Sequence, residues 1–246
     1  MQDGHPLQQF LAHEGEPRTE HYVERPGPWG RLRLDIPDER ALLATWEGLT
    51  PGQEEEARAA FEAARALYDP DAPEEGLRAL STVAARWPLW GAGHAALCDA
   101  FRHLGEHAEA SYHARQLLAV EPDVDHVLKL AVSLAREGRL EDARQLQSHV
   151  WTTRQAQPGS CWYQAACDLL VTLTRLKDGA GMVALAEEAL ELFPGNATLA
   201  YQRCLGLLLS DQRDEALAGC EQALGSLGED APLRPRFEQL RATLAG

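Results

Sequence analysis

The chain has 246 residues, of which 45% are apolar and 25% charged, and a formal net charge of −15. That apolar share is enough for a packed core and excludes global disorder, while the negative balance repels phosphate backbones and anionic headgroups and so excludes the usual nucleic-acid binder. No apolar run is long enough to span a bilayer, since Ala131 to Ala135 and Leu205 to Leu209 are soon broken, and the first twenty residues lack a basic start followed by an apolar stretch. A cytoplasmic protein without membrane insertion is expected.

Residues 1–50 are expected to form an irregular N-terminal segment apart from the rest. Proline and glycine interrupt it at Arg25-Pro26-Gly27-Pro28 and bound it at Thr50-Pro51-Gly52, which argues against a continuous helix. Leu32, Leu34 and Ile36 alternate with Arg31, Arg33 and Asp35, the pattern of an extended strip with one apolar edge. Pro37-Asp38-Glu39-Arg40 then opens a short predicted helix through Leu42, Leu43 and Trp46. Two roles fit: the segment is a tail packed on the first unit that follows, or its extended strip, Arg31 to Ile36, is a stand-in ligand in a groove of its own or a neighbouring molecule.

From residue 51 to 246 the chain reads as one helical domain. Leu, Ala, Glu and Arg dominate, Lys occurs only at 129 and 177, and Ile only at 36, a composition that favours helix over sheet. The prevalence of arginine over lysine suggests a GC-rich bacterial genome. The first unit is predicted from Ala60, Ala63, Ala64 and Leu67, followed by Gly76, Leu80 and Val83 up to Pro88. His94, Leu97, Cys98 and Phe101 then recur at helical spacing, Leu104-Gly105-Glu106 supplies a turn, and Ala110, Ala114 and Leu117 lead to Pro122. Val127, Leu130, Ala131 and Leu134 repeat the first helix, Glu137-Gly138-Arg139 the turn, and Ala143, Gln147 and Val150 the second helix, closing late at Pro158. Asp178-Gly179-Ala180 is the next turn, with Met182, Ala186 and Ala189 running to Pro194; Ala216, Cys220 and Ala223 form the last copy, and Leu233 to Leu244 a terminal helix.

Pro88 and Pro122 lie 34 apart, as do Met182 and Ala216, and Ala110 precedes Ala143 by 33. With that period and its helix, turn and helix, the chain resembles the tetratricopeptide repeat (TPR) family over roughly residues 54–228, about five units with a cap. The resemblance implies an all-α solenoid and a protein-interaction scaffold rather than an enzyme. His94, Val127, Ala166 and Ala200 stand where the family carries an aromatic, and a related helical-hairpin solenoid fits the same spacing.

The family lines its concave groove with the first helix of each unit. Carried across, the partner-binding positions are Arg102 and His103, then Lys129, Val132 and Arg136, then Val171 and Arg175 beside Asp168, then Tyr201 and Gln202 beside Leu205. The resemblance implies a protein or peptide partner, and the basic thread through the groove selects an acidic peptide or C-terminal carboxylate. Against this, Arg102, Arg136 and Arg175 each sit in a last helical turn, where the dipole alone favours a cation. Family members that clamp chaperone tails use lysines and asparagines, and the groove here has no asparagine. A dedicated secretion or assembly chaperone for one client is an alternative to the scaffold.

No phosphate-binding glycine loop, nucleophile elbow or H-E-x-x-H pair occurs, so no cofactor and no catalytic residue is expected. His94, Cys98 and His103, with His107 and His113 nearby, are the most metal-like group and would carry the alternative of an enzyme on a helical solenoid. Cys98 and Cys204 share a frame position otherwise held by small packing residues, which makes them buried free thiols. Cys161 and Cys167 have no ligand spacing, and no motif sets an oligomeric state. Trp87, Trp90, Trp151 and Trp162 fall at unit junctions and are expected to pack there.

Overall fold

In a computed structural model of the protein, residues 22–27, 30–35, 49–88, 90–121, 123–153 and 162–245 are described. The chain divides into two compact units, residues 1–158 and 159–246. All described structure after residue 49 is helical apart from one isolated bridge between Asp69 and Ala72.

The first unit opens on a two-stranded antiparallel hairpin, β1 (Tyr22–Gly27) and β2 (Gly30–Asp35), with Tyr22 opposite Asp35 and Gly27 opposite Gly30. The extended strip is therefore strand β2, and the segment expected to be irregular has a regular pairing within it. Pro26 is tolerated in β1 because each strand of a two-stranded sheet is an edge. Ile36 and the helix expected from Pro37 through Trp46 lie outside the described residues.

Three helical hairpins follow. They are α1 (Pro51–Ala66) with α2 (Glu74–Arg86), α3 (Gly91–Leu104) with α4 (His107–Val120), and α5 (Val124–Glu137) with α6 (Leu140–Thr153), each helix packing on the next. Thr50 starts α1 with a reciprocal cap: its Oγ1 accepts from Gln53 N at 3.4 Å and its own N donates to Gln53 Oε1 at 3.1 Å. Gly105 and Gly138 end α3 and α5 in the left-handed conformation, φ 81° and 93°, and the amides of Glu106 and Arg139 close back on Phe101 and Leu134. The repeating small positions Ala110 and Ala143 are fully buried, as are Ala114, Leu117 and Val150 at the core positions that follow them.

One register differs from expectation. Helix α1 buries Ala57 and Ala64 with Ala60 and Phe61 packed beside them, whereas Ala63 is exposed and Leu67 is 47% exposed. The inward stripe lies one step round the helix from Ala60, Ala63, Ala64 and Leu67. Phe61 sets it, its ring meeting Trp90 edge-on at 5.3 Å. Trp87 and Trp151 are buried, and Arg86 lies 4.4 Å over the Trp87 ring.

The second unit holds α7 (Trp162–Leu176) with α8 (Gly179–Leu192), α9 (Ala197–Leu209) with α10 (Arg213–Ser226), and the terminal helix α11 (Arg234–Ala245). Helix α9 packs on α7, α8 and α10, and α11 on α10. Gly179 does not supply the left-handed turn expected of it: Lys177 does, at φ 59°. Gly179 is the first residue of α8 instead, where a Cβ would stand 2.7 Å from the Gly206 carbonyl oxygen, so its missing side chain admits α9. Phe237, Leu240 and Leu244 of α11 bury against Cys204, Leu207 and Cys220. Arg213 Nε and Nη2 donate to the carbonyls of Leu244 and Thr243 at 2.7 and 2.9 Å, satisfying the last turn of α11.

Candidate functional site

The first helices of the first unit present one helical stripe to solvent. On α3 it runs Ala92, Ala95, Ala96, Asp99 and His103, spaced by three and four so that they share a face. Facing it, Phe61 and Arg65 of α1, with Tyr68 just beyond, complete an open, mainly apolar cleft of about 520 Å³. The buried Tyr68 hydroxyl has no hydrogen-bond partner among the described residues.

The apolar cleft continues into a polar one of about 390 Å³, lined by Asp99, Arg102, His103, His107 and Arg136. Asp99 and His103 belong to both. One trough therefore runs from an apolar floor to a cationic end. Of its sequence-expected residues, His103 and Arg136 are exposed and Arg102 is half-buried. Lys129 is brought to the trough but engaged: its Nζ donates to both Asp99 oxygens, at 2.6 and 2.8 Å, while Arg102 Nη1 reaches Asp99 Oδ1 at 3.3 Å. Asp99 thus offsets part of the basic thread, and the guanidinium groups of Arg102 and Arg136 make the trough's far end cationic, with His103 and His107 beside them. Val132, one turn before Arg136 on α5, is half-buried.

The remaining expected positions belong to the second unit. Val171 is 53% exposed and Arg175 exposed on α7. Tyr201 of α9 is half-buried with its ring edge-on to Phe237 of the terminal helix at 5.3 Å, and the neighbouring Gln202 buries an Oε1 that has no partner among the described residues.

Sequence reading missed Asp99, Phe61, Arg65 and Tyr68. The i, i+3, i+4, i+7 stripe from Ala92 was the available signal for Asp99. Phe61 required the register of α1, which the run of alanines around it leaves ambiguous.

The metal-like histidines are not one group. His94 is 1% exposed inside the second hairpin, its Nε2 lying 3.1 Å from the Pro88 carbonyl and its Nδ1 3.0 Å from His113 Nδ1. A carbonyl only accepts, so in the neutral ring Nε2 carries the proton and Nδ1 accepts from His113. His113 also stacks on Phe101 at 5.7 Å. Cys98 is fully buried, and burial, reinforced by the Asp99 carboxylate, pushes its thiol up to about 11. A thiol so held is a packing group and a poor ligand. Cys204 is buried at the corresponding place, and burial raises its thiol too. No set of three His, Cys, Asp or Glu side chains among the described residues is placed to hold a metal ion. Cys161 lies outside the described residues.

No family model matches the sequence. No curated protein matches it either. Among solved structures, the chain is similar to the crystal structure of MamA, with a TM-score of 0.59 and 13% identity over 79% of this chain and 96% of that one. It is also similar to PilW, described as a widely conserved type IV pilus biogenesis factor, with a TM-score of 0.56 and 14% identity over 80% of this chain and 90% of that one. A thermophilic TPR protein of Thermus thermophilus, TTC0263, superposes less well, with a TM-score of 0.48 and 18% identity over 75% of this chain and 98% of that one. At these identities the likeness to MamA and PilW is one of fold, an array of helical hairpins. No described helix is long and apolar enough to cross a membrane.

Proposed function

We propose that this TPR-like repeat chain is a protein-interaction scaffold, and that the trough of its first unit receives an extended segment of a partner protein. The observation that carries the reading is the order of surfaces along that trough: Phe61, Ala92, Ala95 and Ala96 with one arginine, Arg65, at one end, Asp99 and His103 between, and Arg102, His107 and Arg136 at the other. A helical-repeat trough of this kind offers apolar contact area for anchoring side chains and charge-assisted hydrogen bonds for orientation. The matching ligand carries one or two apolar residues followed by carboxylates.

Binding rather than catalysis is favoured by what the trough contains. Its polar lining is Asp99, paired with Lys129, with Arg65, Arg102, Arg136, His103 and His107, while the neighbouring Cys98 is fully buried with its acidity suppressed. Among the described residues, no nucleophile there is hydrogen-bonded to a base.

Affinity capture from native lysate with the wild-type chain and with Arg102→Glu/Arg136→Glu tests the reading. Specific partners retained by the wild type should fall by about tenfold or more in the double variant, because each reversal puts a repulsive charge where a carboxylate would dock. Identical capture by the two proteins, both confirmed helical by circular dichroism, would refute it.

A further inference from the structure

The polar part of the trough is rich in donors and short of acceptors. Arg102, Arg136, His103 and His107 line it, and Asp99 is the acid among its lining residues. Lys129 donates to both Asp99 oxygens, which cancels that charge and leaves the two guanidinium groups unbalanced. Arg102 places one contact on Asp99 Oδ1, at 3.3 Å, whereas Arg136 is exposed and has no side-chain hydrogen bond or ion pair among the described residues. Each guanidinium carries five N–H donors, so most donors in the cleft face no protein acceptor. Glu106 and Glu137 are neighbours in sequence but do not line it.

Helix ends do not account for the whole set. The negative end of a helix dipole favours Arg102, His103 and Arg136 in the last turns of α3 and α5 with or without a ligand. His107 is the opposite case. It is the first residue of α4, where the dipole gives no reason for a basic side chain, and its Nδ1 is buried without a partner among the described residues. The chain as a whole carries a charge of −15, so no general field draws anions to this face and an anion bound here is held by local contacts.

We infer that the anion received here is a phosphomonoester carried on the bound segment of the partner, its oxygens shared between Arg102 and Arg136, with His103 and His107 as further donors. The inference rests on the trough being a binding surface, as proposed above, and names the acidic group that docks at its polar end. Two arguments favour phosphate over carboxylate. Arg102 already has a carboxylate in Asp99, so a second one exchanges like for like, whereas a phosphomonoester carries about −1.5 to −2 charges at neutral pH and draws the guanidinium more strongly. A carboxylate has two oxygens, which match one guanidinium fork; a phosphomonoester presents about three and so bridges arginines from two helices.

Fluorescence anisotropy of the full chain with three labelled synthetic peptides tests this. Each peptide has two leucines and an alanine followed by one variable residue, which is serine, glutamate or phosphoserine. The phosphoserine peptide should bind about tenfold more tightly than the serine peptide and about threefold or more tighter than the glutamate peptide. Arg136→Gln should remove most of that advantage and Arg102→Gln/Arg136→Gln all of it, with binding of the serine peptide unchanged. Because Arg136 is exposed, the single variant decides the matter even if the double one does not fold. Equal binding of the glutamate and phosphoserine peptides, a phosphoserine advantage that survives Arg136→Gln, or no binding of the phosphoserine peptide at millimolar concentration would each overturn the inference.

Inorganic phosphate distinguishes the source. It should displace the phosphoserine peptide only at concentrations about tenfold or more above that peptide's dissociation constant, since it lacks the apolar contacts. Displacement at equal concentration would make this a site for free phosphate and overturn the assignment to a partner. Phosphatase treatment of the lysate separates failure here from failure of the trough. Partners captured by the wild type should be lost after treatment; partners that survive it but are lost with Arg102→Glu/Arg136→Glu would leave the trough a binding surface and overturn the phosphate.

Discussion

At the scale of single residues the site is governed by Asp99. It sits on the exposed stripe of α3 and accepts from Lys129 and Arg102, so one carboxylate determines how much of the basic thread remains for a ligand. These pairs join half-buried cations to an exposed carboxylate and add little stability. Their effect is on the field in the trough. Asp99→Asn should therefore leave thermal stability almost unchanged and tighten binding of an acidic peptide by about two- to fivefold at low salt, an effect that salt erases. Fluorescence anisotropy with a labelled acidic peptide, at two ionic strengths, measures both.

Cys98 makes a second residue-scale prediction. Its folded-state thiol is raised to about 11 from an ordinary value of 9.0, chiefly by burial. Below pH 9 the group is neutral in folded and unfolded chains alike and its contribution is fully present. Between about 9 and 11 the unfolded chain loses the proton and the folded chain keeps it, so stability falls as pH rises. Thermal melts from pH 8 to 11 should show wild type losing ground to Cys98→Ala across that window, and a constant difference between the two would contradict the assignment.

At the scale of elements, close approach is the governing constraint. A Cβ at Gly206 would stand 2.8 Å from Met182 Cβ and 3.0 Å from the Gly179 carbonyl oxygen, so α8 and α9 pack backbone to backbone at that crossing. Gly206→Ala should destabilise the second unit by about 1–3 kcal/mol through overpacking, read from urea unfolding, despite alanine's better helix propensity. A neutral or stabilising outcome would mean that the crossing relaxes freely.

The hairpin elements were legible in sequence because each carries its own punctuation. Gly105 and Gly138 mark helix ends that need a left-handed residue, and Ala110, Ala143 and Ala216 recur where helices meet. Where punctuation is ambiguous the reading slipped. Gly179 looked like a helix terminator but is present for contact with Gly206, while Lys177 takes the strained φ. Strand β1 was hidden because Glu24 and Pro26 break any apolar alternation, leaving only β2 with a visible pattern. The site was half legible for a related reason: spacing places Arg102, His103 and Arg136 on first helices, but the pairing of Asp99 with Lys129 crosses two helices, and no local period encodes it.

At the scale of the whole molecule, the chain is a set of small hairpins, none of which buries its apolar face alone; α11 covers the end of the last one through Phe237, Leu240 and Leu244. Such an architecture concentrates stability in seams between neighbours. The likeness to MamA and PilW extends over about four-fifths of the chain while identity stays at 13–14%, as expected when packing positions fix the fold and exposed positions change freely.

Hydrogen-exchange mass spectrometry of the full chain, free and bound to a partner isolated by wild-type capture, tests the central claim most directly. The account predicts added protection confined, in the first unit, to peptides carrying Phe61 to Tyr68, Ala92 to His103 and the last turn of α5 at Arg136. Protection centred instead on the second helices α2, α4 and α6, with the trough unchanged, would contradict it.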